Sequence, residues 1–348
     1  MDHFELRYSD FSLDDEQTVM RDAFRDFFTR ECPATAVLAT EPVGHDGQLW
    51  ARLMGLGVTS MGVPAASGGD GASLVDLVVL AEEYGAVLAP VPLISQVVVG
   101  RLLAAVEGVG GIGEVLTGVI AGDRPVVVAP QPTLGRRQLV PDASLARDVV
   151  VLDGTSLVLV SLPTAAPHVP NQGSTPLAWF DPATGSRRVL AEGSVAAGLH
   201  ARAMREWKLL TAAALVAMTE SALRIAVEFA KTRQTMGVPI GSLQGVAFPL
   251  ADVAINVGAT RNLVRKAAWM AEHEPASRPD LIPKAFATAA RIATHGTTTA
   301  AHMQGGLGYT TEADASLYFL RAKGWSVLAG DPNDDYRAVG DLLAAGAV

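Results

Sequence analysis

From Ser12 to Cys32 apolar residues return at three-and-four spacing among acids and arginines, so that Val19, Ala23, Phe24, Phe27 and Phe28 fall on one side of the run. That spacing predicts an amphipathic helix, and the serine followed by acids at its start supplies a cap and favourable charge for the N-terminus. Two further helices are predicted around "GQLWARLMGLG" and "SLVDLVVLAEEYGAVL", separated by "VPAASGGDGAS", whose glycines mark a tight connection. The apolar stretch from Val97 to Val106 carries this helical block to the end of a first domain, 1–122.

The pattern then changes. "RPVVVAP", "RRQLVP", "ARDVVVLDG", "TSLVLVSLP", "LAWFDPATG" and "SRRVLAEG" are short β-branched runs bounded by Gly, Pro and Asp, which predict strands. Their even spacing predicts a small antiparallel barrel or sandwich over 123–198. Across 199–348 the runs are long, alanine-rich and almost free of breakers, as in "REWKLLTAAALVAMTESALRIAVEFAKTRQTMG". Alanine permits close helix-on-helix contact, so a four-helix bundle is expected. The fold class is α+β: a helical domain, a small β-domain, then the bundle.

Composition narrows the field of functions. With 348 residues, 49% of them hydrophobic and only 18% charged, the chain can bury a large core, which excludes a disordered protein. Acids, glycine or proline interrupt its apolar runs before the roughly 20 residues a bilayer span requires, so no membrane span is expected. The opening "MDHFELRYSDFSLDDEQ" lacks a basic-then-apolar export pattern. One cysteine, Cys32, excludes an internal disulfide framework and thiolate metal clusters, so no metal is expected and the cytoplasm is the expected compartment. A formal charge of −9 without a Lys/Arg stripe argues against a nucleic-acid partner.

Three segments in order resemble the acyl-CoA dehydrogenase family. "LWARLMGLGVTSMGVPAASGGDG" followed by "LAEEYGAVLAPVPL" is similar to its tryptophan-bearing helix, Val-Pro, Gly-Gly-x-Gly turn and Glu-Glu-x-Gly helix end. "KTRQTMGVPIGSLQGVAFPLADV" resembles its Arg-x-x-Phe-Gly, Ile-x-x-x-Gln and Leu-Ala-Asp signature, and "QGGLGYTTEADASLYFLRAKG" its Gly-Gly-x-Gly-Tyr/Phe-Thr-x-Glu segment. The resemblance implies FAD, an acyl-CoA substrate, an electron-transferring flavoprotein or similar acceptor, and a homo- or hetero-oligomer, dimer or tetramer, of family members. It implies a reaction in which a carboxylate takes the proton next to the thioester carbonyl while the flavin takes a hydride from the next carbon, leaving a 2-enoyl-CoA.

Arg233 follows a long helix and precedes Gly237, where its guanidinium could reach a phosphate or remain a solvated helix-end charge. By resemblance it matches the family's flavin arginine, with Thr235 and Gln244 at two further contact positions. Gly305 and Gly306 let a backbone approach a phosphate where a Cβ would block it, or simply make a turn. His302 stands where the family often has glutamine, with Gln304 two residues on, and the resemblance places both beside the cofactor; a lone histidine there also reads as a satisfied polar group. Glu312 and Asp314 read as first-turn acids of the next helix.

Elsewhere the chain departs from the pattern. Ala329 stands at the catalytic glutamate position of many members, and an alternative base position is taken by Trp207, with Glu206 beside it. Glu206 is the candidate base, against a plain reading as a helix acid. Met236 and Leu243 replace phenylalanines, and the β-domain lacks the Thr-Glu-Pro segment, making it short by about two strands. Two functions follow: a dehydrogenase with an unusual base, or a diverged subunit that completes the flavin site of a partner chain acting on a bulky CoA thioester.

Overall fold

The computed structural model describes residues 11–106, 108–133 and 135–346, so the first ten positions of the acidic opening lie outside the described residues. The first helix, α1 (Asp15–Glu31), begins with a reciprocal cap between Asp14 and Gln17 rather than at Ser12. Its apolar stripe is covered only toward the C-terminal end: Phe28 is fully buried, Phe24 and Phe27 are half-buried, and Val19 is 70% exposed. After α2 (Ala34–Ala39) and α3 (Gly47–Gly55), whose first amides bind the Asp46 carboxylate, come α4 (Leu74–Ala86), α5 (Leu93–Ala104) and α6 (Ile112–Ala121). Helices α4 and α5 are buried almost all round and form the centre of the first layer.

The β-domain contains β1 (Val126–Val128), β2 (Gln138–Val140), β3 (Asp148–Asp153), β4 (Ser156–Ser161), β5 (Ala178–Phe180) and β6 (Ser186–Glu192). One sheet has the order β1-β3-β4-β6, and β2 pairs with β5 in a separate ribbon. The two share a core of Val127, Val149, Val151, Val158 and Val160 against Val140, Ala178 and Phe180, so the arrangement is a small sandwich. The expected antiparallel pairing fails at one place: β1 and β3 are parallel. Between them the chain leaves to build β2 in the other layer and re-enters in its original direction.

Strand β6 runs straight into α7 (Gly193–Thr232), a helix of 40 residues. It is apolar enough over an 18-residue window to cross a bilayer, but 78% of that window is buried within the protein, as in a core helix. A two-strand hairpin, β7 (Gln234–Thr235) and β8 (Val238–Pro239), leads to α8 (Gln244–His273), then α9 (Leu281–Met303), α10 (Asp314–Trp325) and α11 (Asn333–Ala344). Helices α7 to α10 pack as the bundle, with α11 against α9. Close approach is enforced where small residues meet: a Cβ on Gly85 of α4 would lie 2.3 Å from the Ala214 carbonyl of α7. That contact fixes the neighbouring Tyr84 at the junction of all three domains.

Candidate functional site

A cavity of about 40 Å³ lies at this junction. The first domain contributes Tyr84 and Ser95, the β-domain Pro141 and Asp142, and the bundle Trp207, Thr211, Arg321 and Trp325. Tyr84 and Trp325 stack with ring centroids 5.3 Å apart and form one wall. Arg321 is 1% exposed and its Nη2 lies 2.6 Å from Glu41 Oε1, while Glu41 also accepts a hydrogen bond from the Ser174 hydroxyl, so one carboxylate ties the three domains together. The Nη1 of Arg321 and the Thr211 hydroxyl, both buried, have no protein partner among the described residues.

Asp142 is the cavity's carboxyl group. Burial pushes it up from 3.8 to about 6, against the opposing effect of the hydrogen bond it accepts from Ser95. Asp142 follows Pro141 and sits at a positive φ of 60°. Arg321 does carry a signal in the sequence, since it falls midway between Leu317 and Trp325 on the buried face of α10.

Neighbours on α7 turn to different sides. Trp207 faces the cavity, whereas Glu206, 5% exposed, is held by Arg101 at 2.8 and 3.3 Å and by Arg202 at 3.0 Å. Arg101 also donates to the Gly62 carbonyl at 2.9 Å, so Glu206 anchors α7 to α5 and to the loop before α4. Ala329 is buried, and its carbonyl accepts a 2.6 Å hydrogen bond from the Gln131 side chain of the β-domain.

The other sequence-derived residues gather elsewhere, at the end of the bundle where α7 stops, α8 starts and α9 stops around a shared alanine-rich core. Arg233 follows the last turn of α7, exposed, and its guanidinium has no partner among the described residues. The hairpin turn at Met236 and Gly237, both at positive φ, presents Thr235 and carries the chain round to Gln244 at the uncapped start of α8. His302 lies exposed in the last turn of α9; Gln304 is nearly buried, with its side-chain N–H₂ unpaired. Glu312 is exposed just before α10 and Asp314 is in its first turn.

The three glycines have separate reasons. A Cβ on Gly308 would lie 2.1 Å from the Ala301 carbonyl, and Gly305 has a φ of 64°. Gly306 has no positive φ, and a Cβ added there would meet no atom within 4 Å, so nothing among the described residues requires it to be glycine. An unpartnered arginine, an orphan amide and exposed backbone without Cβ atoms suit a phosphate-bearing group, and these residues therefore fit the dinucleotide portion of FAD. The three-domain cavity does not fit its ring system. Met236 at 99%, Phe248 at 59% and Ile255 at 68% exposure leave the same region apolar at its surface.

Residues 14–110 match the sequence family "Acyl-CoA dehydrogenase, N-terminal domain" and 199–335 match "Acyl-CoA dehydrogenase, C-terminal domain". Acyl-CoA dehydrogenase FadE27 of Mycobacterium tuberculosis is 30% identical over 338 residues, covering 86% of this chain and 88% of its own. Acyl-CoA dehydrogenase IpdE2 of Mycolicibacterium smegmatis is 27% identical over 328 residues, covering 93% and 98%. Among solved structures, the Tcur3481-Tcur3483 steroid ACAD G363A variant superposes with a TM-score of 0.85 at 25% identity, covering 95% of this chain and 98% of that one.

Proposed function

The chain belongs to the acyl-CoA dehydrogenase family of flavin-dependent oxidoreductases, and from that premise we propose that it works as one subunit of a heteromeric acyl-CoA dehydrogenase in the cytoplasm. It completes the FAD site of a homologous partner, and the partner supplies the acyl pocket and the base for α,β-dehydrogenation of an acyl-CoA to a 2-enoyl-CoA.

The observation that carries this reading is the size of the three-domain cavity. Its 40 Å³ holds roughly three waters at about 10–15 Å³ each, far less than an acyl chain and its thioester occupy. A base must also come within hydrogen-bond reach of the proton it removes. Ala329 has no carboxyl group, Glu206 is engaged by two arginines outside the cavity, and Asp142 faces a space too small for substrate.

Bound FAD supplies the hydride acceptor. What this chain adds is the cradle: Arg233 for negative charge, the backbone at Gly305 and Gly306 for close approach to the pyrophosphate, and Thr235, Gln244, His302 and Gln304 as polar contacts around it. The exposed apolar residues beside the cradle fit a second chain of the family. The name of the Tcur3481-Tcur3483 steroid ACAD joins two chains, which supports a heteromer and a bulky, ring-bearing acyl group.

Asp142 favours a second reading, a self-sufficient dehydrogenase, because a carboxyl held near 6 on a cavity wall suits general-base work. That reading needs the cavity to widen many-fold against the Arg321–Glu41–Ser174 tie.

Visible spectra of the chain purified alone and after co-expression with a family homologue separate the two. The heteromeric reading expects a colourless chain that becomes part of a yellow complex, with flavin lost on Arg233→Ala. A yellow isolated chain that oxidises an acyl-CoA overturns it.

A further inference from the structure

A concavity much larger than the three-domain cavity lies elsewhere in the molecule. It is a groove of about 740 Å³ between α1, α4, α7 and α8, and the two share no lining residue. Its volume lies in the range of about 300–1,000 Å³ that small-molecule sites occupy. Val87, Leu223 and Val227 provide an apolar surface, and five arginines and three glutamates provide the charged part.

Most of those charges are already matched. Arg25 pairs with Glu83 at 2.9 Å, Arg265 with Glu82 at 2.8 Å, and Arg261 with Glu220 at 2.8 Å. Arg21 pairs with Asp22 at 2.9 Å. Arg224 differs: it donates to the Ser221 hydroxyl at 3.2 Å and has no carboxylate partner among the described residues. A protein with a formal charge of −9 thus keeps one guanidinium without a counter-ion in this groove, beside an apolar wall.

We infer that this groove binds a monocarboxylate with an apolar body, its carboxylate on Arg224, which Ser221 positions from below, and its hydrocarbon or ring portion along Val87, Leu223 and Val227. A guanidinium presents paired donors that match a carboxylate, and the apolar wall distinguishes such an acid from a small polar anion. The charge count separates it from a nucleotide. One surplus cation balances one carboxylate, whereas a diphosphate would bring several negative charges among Glu82, Glu83 and Glu220. The inference is independent of the flavin role, since none of these residues belongs to the cradle or the three-domain cavity.

Sodium decanoate titrated calorimetrically into the full chain, together with any partner that co-purifies, tests it. Saturable binding is expected, weakened about tenfold or more by Arg224→Gln, as loss of a charged hydrogen bond of about 1.5–3 kcal/mol implies. Ser221→Ala should weaken it by a smaller factor without disturbing the fold, decanol should bind at least tenfold more weakly, and pyrophosphate should not compete. Absence of decanoate binding, equal binding by folded Arg224→Gln, equal binding of decanol, or displacement by pyrophosphate would each overturn the assignment.

Discussion

The side-chain amide of Gln131 donates to the main-chain carbonyl of Ala329 across 2.6 Å, joining two segments 198 residues apart in sequence. The bond ties the β-domain to the turn after α10, where many family members carry their catalytic glutamate. Restoring a carboxylate there should therefore not restore chemistry. Ala329→Glu is expected to show no dehydrogenase activity in the isolated chain, and placing an unpaired charge at a site 7% exposed should lower stability by about 3 kcal/mol. Activity assay and chemical denaturation check this; turnover by the isolated variant contradicts it.

Glu206 and Arg101 make a buried pair, with side chains 7% and 11% exposed. Removing one charge leaves the other buried without its partner, so Glu206→Gln should lower unfolding free energy by about 3 kcal/mol. Replacing both residues by methionine should return most of that loss, because well-packed apolar side chains of similar volume often substitute for a buried pair. Flavin content and turnover of the assembled complex should follow its folded fraction. If Glu206→Gln kept its melting temperature and abolished turnover, Glu206 would be a base and not an anchor.

The contrast between Glu206 and Asp142 illustrates what was legible in the chain. Periodicity over many residues specified α1, α4, α7 and the bundle, and short β-branched runs specified β3 and β4, because those patterns are local. The proposed cradle rests on the resemblance of the segments around Arg233 and Gly305 to family motifs, which are themselves short local patterns. Asp142, Gln131 and Glu41 acquire their meaning only when three domains meet, and none stands in an unusual local pattern. The same limit hid the parallel pairing of β1 with β3, which depends on β2 joining the other layer, and the groove around Arg224, whose charges come from four helices.

Asp142 should make stability depend on pH with a definite sign. Its folded value of about 6 lies above its ordinary 3.8, so the folded protein binds this proton more tightly than the unfolded chain. Above about pH 6 the carboxyl group is ionised in both states, and its burial destabilises the fold by on the order of 2–3 kcal/mol. As pH falls from 6 toward 4 that penalty is relieved. Asn tolerates the positive φ and can still accept from Ser95. Asp142→Asn should therefore be more stable than wild type at pH 7–8, with the difference shrinking to near zero around pH 4. Denaturation curves of both proteins across that interval would contradict the assignment if the gap were constant or widened in acid.

Gly306 and Gly308 separate a binding role from a packing role within one short segment. Gly308→Ala puts a Cβ 2.1 Å from the Ala301 carbonyl, a contact with backbone that cannot swing aside, so the end of α9 must shift and the protein should lose several kcal/mol or fail to accumulate. Gly306→Ala meets nothing within 4 Å and needs no unusual φ, so the chain alone should keep its stability within about 0.5 kcal/mol of wild type. Its effect should appear only where a ligand or partner approaches that backbone. The co-expressed complex carrying Gly306→Ala should retain less FAD after dialysis, by at least severalfold, while its subunits stay associated in size-exclusion chromatography. Full flavin retention by this variant would remove Gly306 from the cradle.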